Sequence, residues 1–120
     1  MIKERLLSLP DEIKEMKIKL IDADNKLEHY NEEIKKWELQ ELDSIANAVD
    51  ENGKAIYSND AKRKAELERR KENNKDYQRL LKALDEAKLE RDLIHIELDR
   101  LYNEQGNLRA ICRLEGGLDV

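Results

Sequence analysis

Phenylalanine is absent from this 120-residue chain, tryptophan, proline and cysteine occur once each, and glycine four times. Aromatic residues make up 4% of the whole, which leaves too little bulk for a broad globular core. A lone cysteine, Cys112, excludes an intrachain disulfide and any cysteine-pair metal or redox centre, and it fits a reducing cytoplasm. No apolar run approaches the length of a membrane span or a signal-peptide core, so no membrane partner is expected. With so little proline and glycine, interruptions of regular structure must be few.

What the chain has is charge. Asp, Glu, Lys and Arg account for 42% of it, with a net charge of −5. The charges alternate in sign between regularly spaced apolar residues, which is the pattern of long solvated helices around a narrow seam rather than of disorder. The negative balance argues against a surface given over wholly to nucleic acid and leaves room for a local basic patch.

The clearest interruption runs from Ala48 to Asn59. Asn52-Gly53 fits the two central positions of a type I′ turn, both of which need φ > 0. Val49 and Ile56-Tyr57 flank it as a miniature hairpin, and Ser58 or Asn59 offers a side-chain oxygen to cap the helix that follows.

On the N-terminal side, Ile2, Leu6, Leu9, Ile13, Met16, Leu20, Ala23, Leu27, Tyr30, Ile34 and Trp37 alternate steps of four and three, a heptad seam. Ser8-Leu9-Pro10-Asp11 reads as a capped helix start, with residues 2–7 as a separate turn. The seam meets a charge at Glu41 and resumes at Leu42, Ile45 and Val49. On the C-terminal side the repeat is Tyr77, Leu80, Leu84, Ala87, Arg91, Ile94, Leu98, Leu101, Gln105, Leu108 and Cys112. Asn73 with Asp76 loosely matches a capping box, so a bend there and a continuous helix are both open. Gly116-Gly117 is the expected stop.

The expected fold is therefore all-α: an antiparallel two-helix coiled-coil hairpin, one domain over residues 1–120. Arm one covers about residues 9–48, the tip 49–58 and arm two about 59–114. Folding the arms at the tip sets Tyr30 against Tyr77, Leu9 against Leu98 and Trp37 against Arg70. A hairpin covers one stripe per helix, yet Leu89, Leu93 and Ile96 form a second stripe, with Ile18 and Ile21 opposite its start. Leu108, Ile111, Cys112 and Leu114 overhang the beginning of arm one. This surplus predicts a homodimer, a four-helix bundle whose interface includes Ile18, Ile21, Leu89, Leu93, Ile96, Leu108 and Ile111.

Residues for chemistry are scarce. There is no glycine-rich phosphate loop, HExxH or nucleophile elbow. His29 and His95 fall far out of facing register, and the Asp92/His95 pair has no partners to complete a carboxylate-bridged metal site. No residue is nominated as catalytic, cofactor-binding or metal-ligating. The one contrasting feature is Lys62-Arg63-Lys64 and Arg69-Arg70-Lys71, two triplets a heptad apart that repeat on one helix face. They offer phosphate contact. Alternatively they form a solvated face of ion pairs, Glu66 reaching Arg70 and Glu68 reaching Lys64 or Lys71, with Glu38, Glu41 and Asp43 nearby.

Residues 51–67, Glu51-Asn52-Gly53-Lys54 through Tyr57-Ser58-Asn59 into Arg63-Lys64-Ala65-Glu66-Leu67, resemble small coiled-coil proteins of bacteriophages and prophages. So do Asp76-Tyr77-Gln78-Arg79-Leu80-Leu81 and Leu108-Arg109-Ala110-Ile111-Cys112-Arg113-Leu114. Such proteins often accompany recombination or replication genes, and their second helix often restarts at an acidic-Pro-acidic-Tyr step, where this chain has Asn74-Lys75-Asp76-Tyr77. Beta-type prefoldin shares the architecture, but the connection between Ala48 and Asn59 has room for only one tiny hairpin. The resemblance implies a phage setting and carries no assigned active residues; with the lone cysteine and the missing catalytic motifs, the expectation is a non-enzymatic helical interaction protein in the bacterial cytoplasm, binding protein partners in DNA processing or in blocking host defence. The alternative is a nucleic-acid-binding accessory protein using the basic triplets.

Overall fold

The computed structural model describes residues 1–116, and the regular elements among them are three helices: α1 (Ile2–Asn47), α2 (Asp60–Asn73) and α3 (Lys75–Gly116). Gly116 is the last residue of α3, and Gly117, the other half of the expected stop, lies outside the described residues. The chain divides into two compact units, one formed by Met1–Lys26 with the chain from Ala87 on, the other by Leu27–Glu86.

In the first unit, α1 starts at Ile2 and runs unbroken through Pro10, so residues 2–7 are not a separate turn. Ser8 does not cap a helix; its hydroxyl donates back to the Arg5 carbonyl at 2.9 Å. An internal proline removes a backbone hydrogen bond and crowds the preceding turn, at a cost of about 3 kcal/mol. Packing on both sides of it offsets that loss. Leu9 is fully buried and Ile13 nearly so, in a cluster with Ala23, Ile94, Leu98 and Leu101, against which Leu6, Met16, Leu20 and Leu108 also pack. Each of these residues belongs to the two heptad seams. Arg5 donates to Glu104 through Nε and Nη2 at 2.8 and 2.7 Å, and Lys26 pairs with Glu90 at 3.2 Å. Numbers thus fall along α3 as they rise along α1, so the two segments run antiparallel here. Because α1 reaches back to Ile2, it covers part of the overhang expected at the end of α3, and Leu108 is half-buried inside the chain.

In the second unit α1 ends at Asn47, whose amide donates to the carbonyl and carboxylate of Asp43. The tip is a one-bridge hairpin, Val49 opposite Ala55. Its reversal differs from a type I′ turn. Gly53 alone has positive φ, +79°, and no described non-glycine residue does, Asn52 included. The Gly53 amide donates to the Asp50 carbonyl at 3.0 Å and the Asp50 amide to the Lys54 carbonyl at 2.8 Å. This is a three-residue loop with glycine at the left-handed position, a common alternative to the two-residue turn. Asp50 organises it, its carboxylate accepting from the amides of Asn52 and Lys54 at 2.8 and 2.9 Å. Asn59 then caps α2 by accepting from the Lys62 amide at 2.9 Å.

The second arm does break. Asn74 is extended (φ −98°, ψ 115°), ends α2, and caps α3 by accepting from the Tyr77 amide at 2.9 Å. The cap therefore lies one residue later than the Asn73/Asp76 reading, and the Asn73 amide instead donates to the Arg69 carbonyl. The break also changes the pairing. Lys71 before it and Tyr77 after it both reach Glu38, so the chain advances little along α1 between them. Tyr77 consequently lies on Trp37, ring centroids 4.5 Å apart, rather than on Tyr30, and Trp37 is not stacked by Arg70. Leu27, Ile45, Tyr77 and Leu84 are the buried apolar residues of this unit.

Gly53 has no atom within 4 Å of where a Cβ would stand, so a substitution there meets backbone strain alone. Gly53→Val is expected to cost about 1–2 kcal/mol in stability. Urea denaturation followed by circular dichroism measures it, and an unchanged midpoint would show that the left-handed residue is not required.

Candidate functional site

The basic stretch lies on α2 and is organised by a carboxylate, Glu66, whose i, i+4 spacing to Arg70 marks only a surface ion pair in the sequence. Glu66 is 8% exposed. It accepts from Arg69 through both oxygens, at 2.9 and 2.5 Å, and from Arg70 Nε at 3.0 Å. Those hydrogen bonds, Arg69 first and Arg70 second, hold its carboxyl down at about 2. Arg70 continues the chain of charge to α1, donating to Glu41 at 2.7 Å and to the Ser44 hydroxyl at 3.2 Å. Glu41, the charge that interrupts the α1 seam, is thus answered by an arginine from the facing helix. The hydrogen bonds from Arg70 to Glu41 and Glu66 raise its pKa above the ordinary value.

Lys71 pairs with Glu38 and Glu68, each at 3.3 Å, and stands 5.8 Å from the centre of the Tyr77 ring. Tyr77 donates its hydroxyl to the same Glu38 at 3.2 Å, and burial together with that carboxylate pushes the phenol above its ordinary range. Arg63 donates to the Tyr57 carbonyl at 3.1 Å and lies 3.9 Å from Asp60.

The six basic residues therefore divide. Arg70 and Lys71 are engaged across to α1, and Arg63 is held by the tip. Lys62 and Lys64 are exposed and have no carboxylate partner among the described residues. Arg69, although bonded to Glu66, is 62% exposed. Beside Lys62 and Arg69 lies an open groove of about 390 Å³, lined also by Ile56, Tyr57, Ala65 and Glu66.

The surface named for self-association lies in the first unit. Ile18, Ile21, Leu89, Leu93 and Ile96 are between 50% and 64% exposed. Leu93 borders a groove of about 470 Å³ whose other walls are Met16, Lys19, Asp22, Glu90 and Ile94. Ile111 is 37% exposed, and Leu108 is packed against the core as described. His29 stands 5.5 Å from Tyr30, and Asp92 pairs with Arg91 at 3.3 Å. Among the described residues no group of three or more His, Cys, Asp and Glu side chains is placed to hold a metal ion, and no helix is long and apolar enough to cross a membrane.

No protein-family model matches the chain, and no curated protein or solved structure shows significant similarity to it.

The depressed Glu66 pKa makes a prediction about acid. Its pairing with Arg69 and Arg70 contributes stability that is complete above the unfolded carboxyl pKa of about 4.3 and is lost as pH falls from there to about 2. Glu66→Gln is expected to lower the melting temperature at pH 7, and the gap to the parent protein should close as pH drops through that window. Thermal melts at half-unit steps between pH 6 and 2 check it. A gap that stays constant would show that the charge of Glu66 contributes nothing.

Proposed function

We propose that the chain is a non-enzymatic helical interaction protein of phage origin, acting in the bacterial cytoplasm on protein partners in DNA processing or in blocking host defence. In this reading α1 and the α2–α3 arm form a coiled-coil hairpin, and two copies pair as a four-helix bundle. The observation that carries it is the exposed stripe of Ile18, Ile21, Leu89, Leu93 and Ile96. A seam one side chain wide leaves this second row in water, and each Leu or Ile buried by a partner contributes about 1.5–3 kcal/mol before association costs. The charges beside it are of mixed sign, with Lys19, Asp22 and Glu90 lining the adjoining groove. A mixed rim suits a two-fold interface, in which each patch must complement its own copy.

The runner-up is nucleic-acid binding, and the exposed Lys62, Lys64 and Arg69 favour it. The pairing of Arg70 and Lys71 with acids of α1 counts against it, because fewer cations remain to displace counterions from phosphate.

Light scattering behind a sizing column tests the dimer. The parent chain is expected at twice its mass of 14.2 kDa, and Leu93→Asp at 14.2 kDa with its helical circular dichroism retained. A parent mass of 14.2 kDa at tens of micromolar overturns self-association.

A further inference from the structure

The first unit carries a second groove, apart from the one that Leu93 borders, where α1 begins and α3 finishes. It encloses about 390 Å³, with Lys3, Leu6, Leu7 and Pro10 of α1 as one wall and Gln105 and Arg109 of α3 as the other. Leu7 is 80% exposed, and Pro10 is exposed beside it. Single apolar residues in water are common, but here three adjoin in one concave surface. Lys3 and Pro10 are seven residues apart, so the α1 wall is about 10 Å long, roughly two helical turns.

The cations of this lining are not answered by acids. Each arginine from Arg5 to Arg100 pairs with a carboxylate at 3.9 Å or less. Arg109 has no carboxylate partner among the described residues, and neither has Lys3; both are exposed. Lys14 and Lys17 continue the α1 row four and seven residues past Pro10, also without a carboxylate, and Lys17 lies 5.6 Å from the centre of the Tyr102 ring. No acid lines the groove. Glu12 and Glu104 are bonded to Arg5, and Glu4 and Glu115 line a separate groove that shares only Lys3 with this one. Asp11 stands about 100° round α1 from Pro10, outside the lining. The surface is therefore apolar at its floor and positive at its rim, in a chain whose net charge is −5.

We propose that this groove docks an acidic amphipathic helix of a partner protein. The apolar stripe of that helix would lie on Leu6, Leu7 and Pro10, and carboxylates beside the stripe would meet Lys3 on one side and Arg109 on the other. The inference rests on the reading of the chain as a protein-interaction module and names the chemistry of its partner. A helix suits the groove better than a strand, because both walls are helices and present no row of free backbone groups to pair with. A third helix laid between two antiparallel ones buries its stripe as in a bundle. In heptad terms the partner has apolar residues at a and d and Asp or Glu at e and g, the positions that set partner choice in coiled coils. A nucleic acid fits less well, because its phosphates gain nothing from Leu6, Leu7 and Pro10, which form the floor.

A display library of fifteen-residue peptides selected on the immobilised full chain tests the proposal, with Leu fixed at a and d, Glu, Gln or Lys at e and g, and Ala elsewhere. Glu should be enriched at e and g. A fluorescein-labelled member is then titrated by anisotropy against the parent and three variants. Leu7→Glu, and separately Lys3→Glu with Arg109→Glu, should each weaken binding roughly tenfold or more while circular dichroism stays helical. The same peptide with Lys at e and g should bind the Lys3→Glu/Arg109→Glu chain roughly tenfold tighter than it binds the parent. Leu93→Asp should leave the affinity of the Glu peptide unchanged, which separates failure of the docking site from failure of self-association. Enrichment of Lys, no enrichment, affinity indifferent to the groove variants, or no gain for the charge-reversed pair would overturn the proposal. So would a fall in the parent's mass by light scattering on Leu7→Glu, which would assign the face to a second copy. Binding of short single- or double-stranded DNA that Lys3→Glu/Arg109→Glu abolishes, in the absence of peptide binding, would overturn it in favour of phosphate.

Discussion

A buried seam one side chain wide is the constraint on which this molecule depends. Leu9, Ile45 and Leu101 are its fully buried large side chains, and each lies on a seam or its continuation toward the tip. Such a seam has little redundancy, because most residues beside it face water. The charged residues that fall in it are answered locally. Arg91 is half-buried and turns its head to Asp92. Glu41 meets Arg70, which in turn is shared with Glu66. Wherever the apolar repeat lapses near the tip, a charge-assisted hydrogen bond takes its place, and the pairs join into a network instead of standing singly.

That substitution also explains the division among the basic residues. A helix face carrying two basic triplets would be a uniform cationic stripe if α2 were alone. Packing beside α1 brings Glu38 and Glu41 to Lys71 and Arg70, and the positive surface shrinks to the face turned away from α1. The exposed apolar row thus lies in the first unit and the exposed cations of α2 in the second.

The helical class and the members of the seams were legible because the four-three spacing of apolar residues carries them directly. Leu9, Ile13, Ala23, Ile94, Leu98 and Leu101 are all positions of the two heptad seams. The Asn59 cap was legible for a similar reason, a side-chain oxygen standing at the head of a helical run. What the spacing could not carry was how the chain negotiates its exceptions. Ser8-Leu9-Pro10-Asp11 has every local mark of a helix start, and burial of Leu9 and Ile13 on the two sides of the proline overrides it. Asn52-Gly53 invited a two-residue turn, but Asp50 accepts two amides and favours the three-residue form. The pairing of Tyr77 with Trp37 depends on how far the chain advances across Asn74, which no periodicity encodes. The importance of Glu66 was hidden because its sequence neighbours look like an ordinary i, i+4 surface pair. Its burial was the missing fact.

The extended residue Asn74 has a consequence for where α2 finds its order. Helical order propagates because each new turn inherits the geometry of the last, and a residue at ψ 115° transmits none of it. α2 is 14 residues long, a length at which an isolated helix in water is marginal. Its cooperativity is its own and that of the ion network joining it to α1, while the 42-residue α3 draws on a separate reserve. Across the break α2 and α3 are joined by side chains instead, Gln78 donating to the Lys71 carbonyl and Lys71 and Tyr77 sharing Glu38. Order in α2 therefore has to come from its Asn59 cap and its side-chain partners, because none reaches it along the backbone from α3.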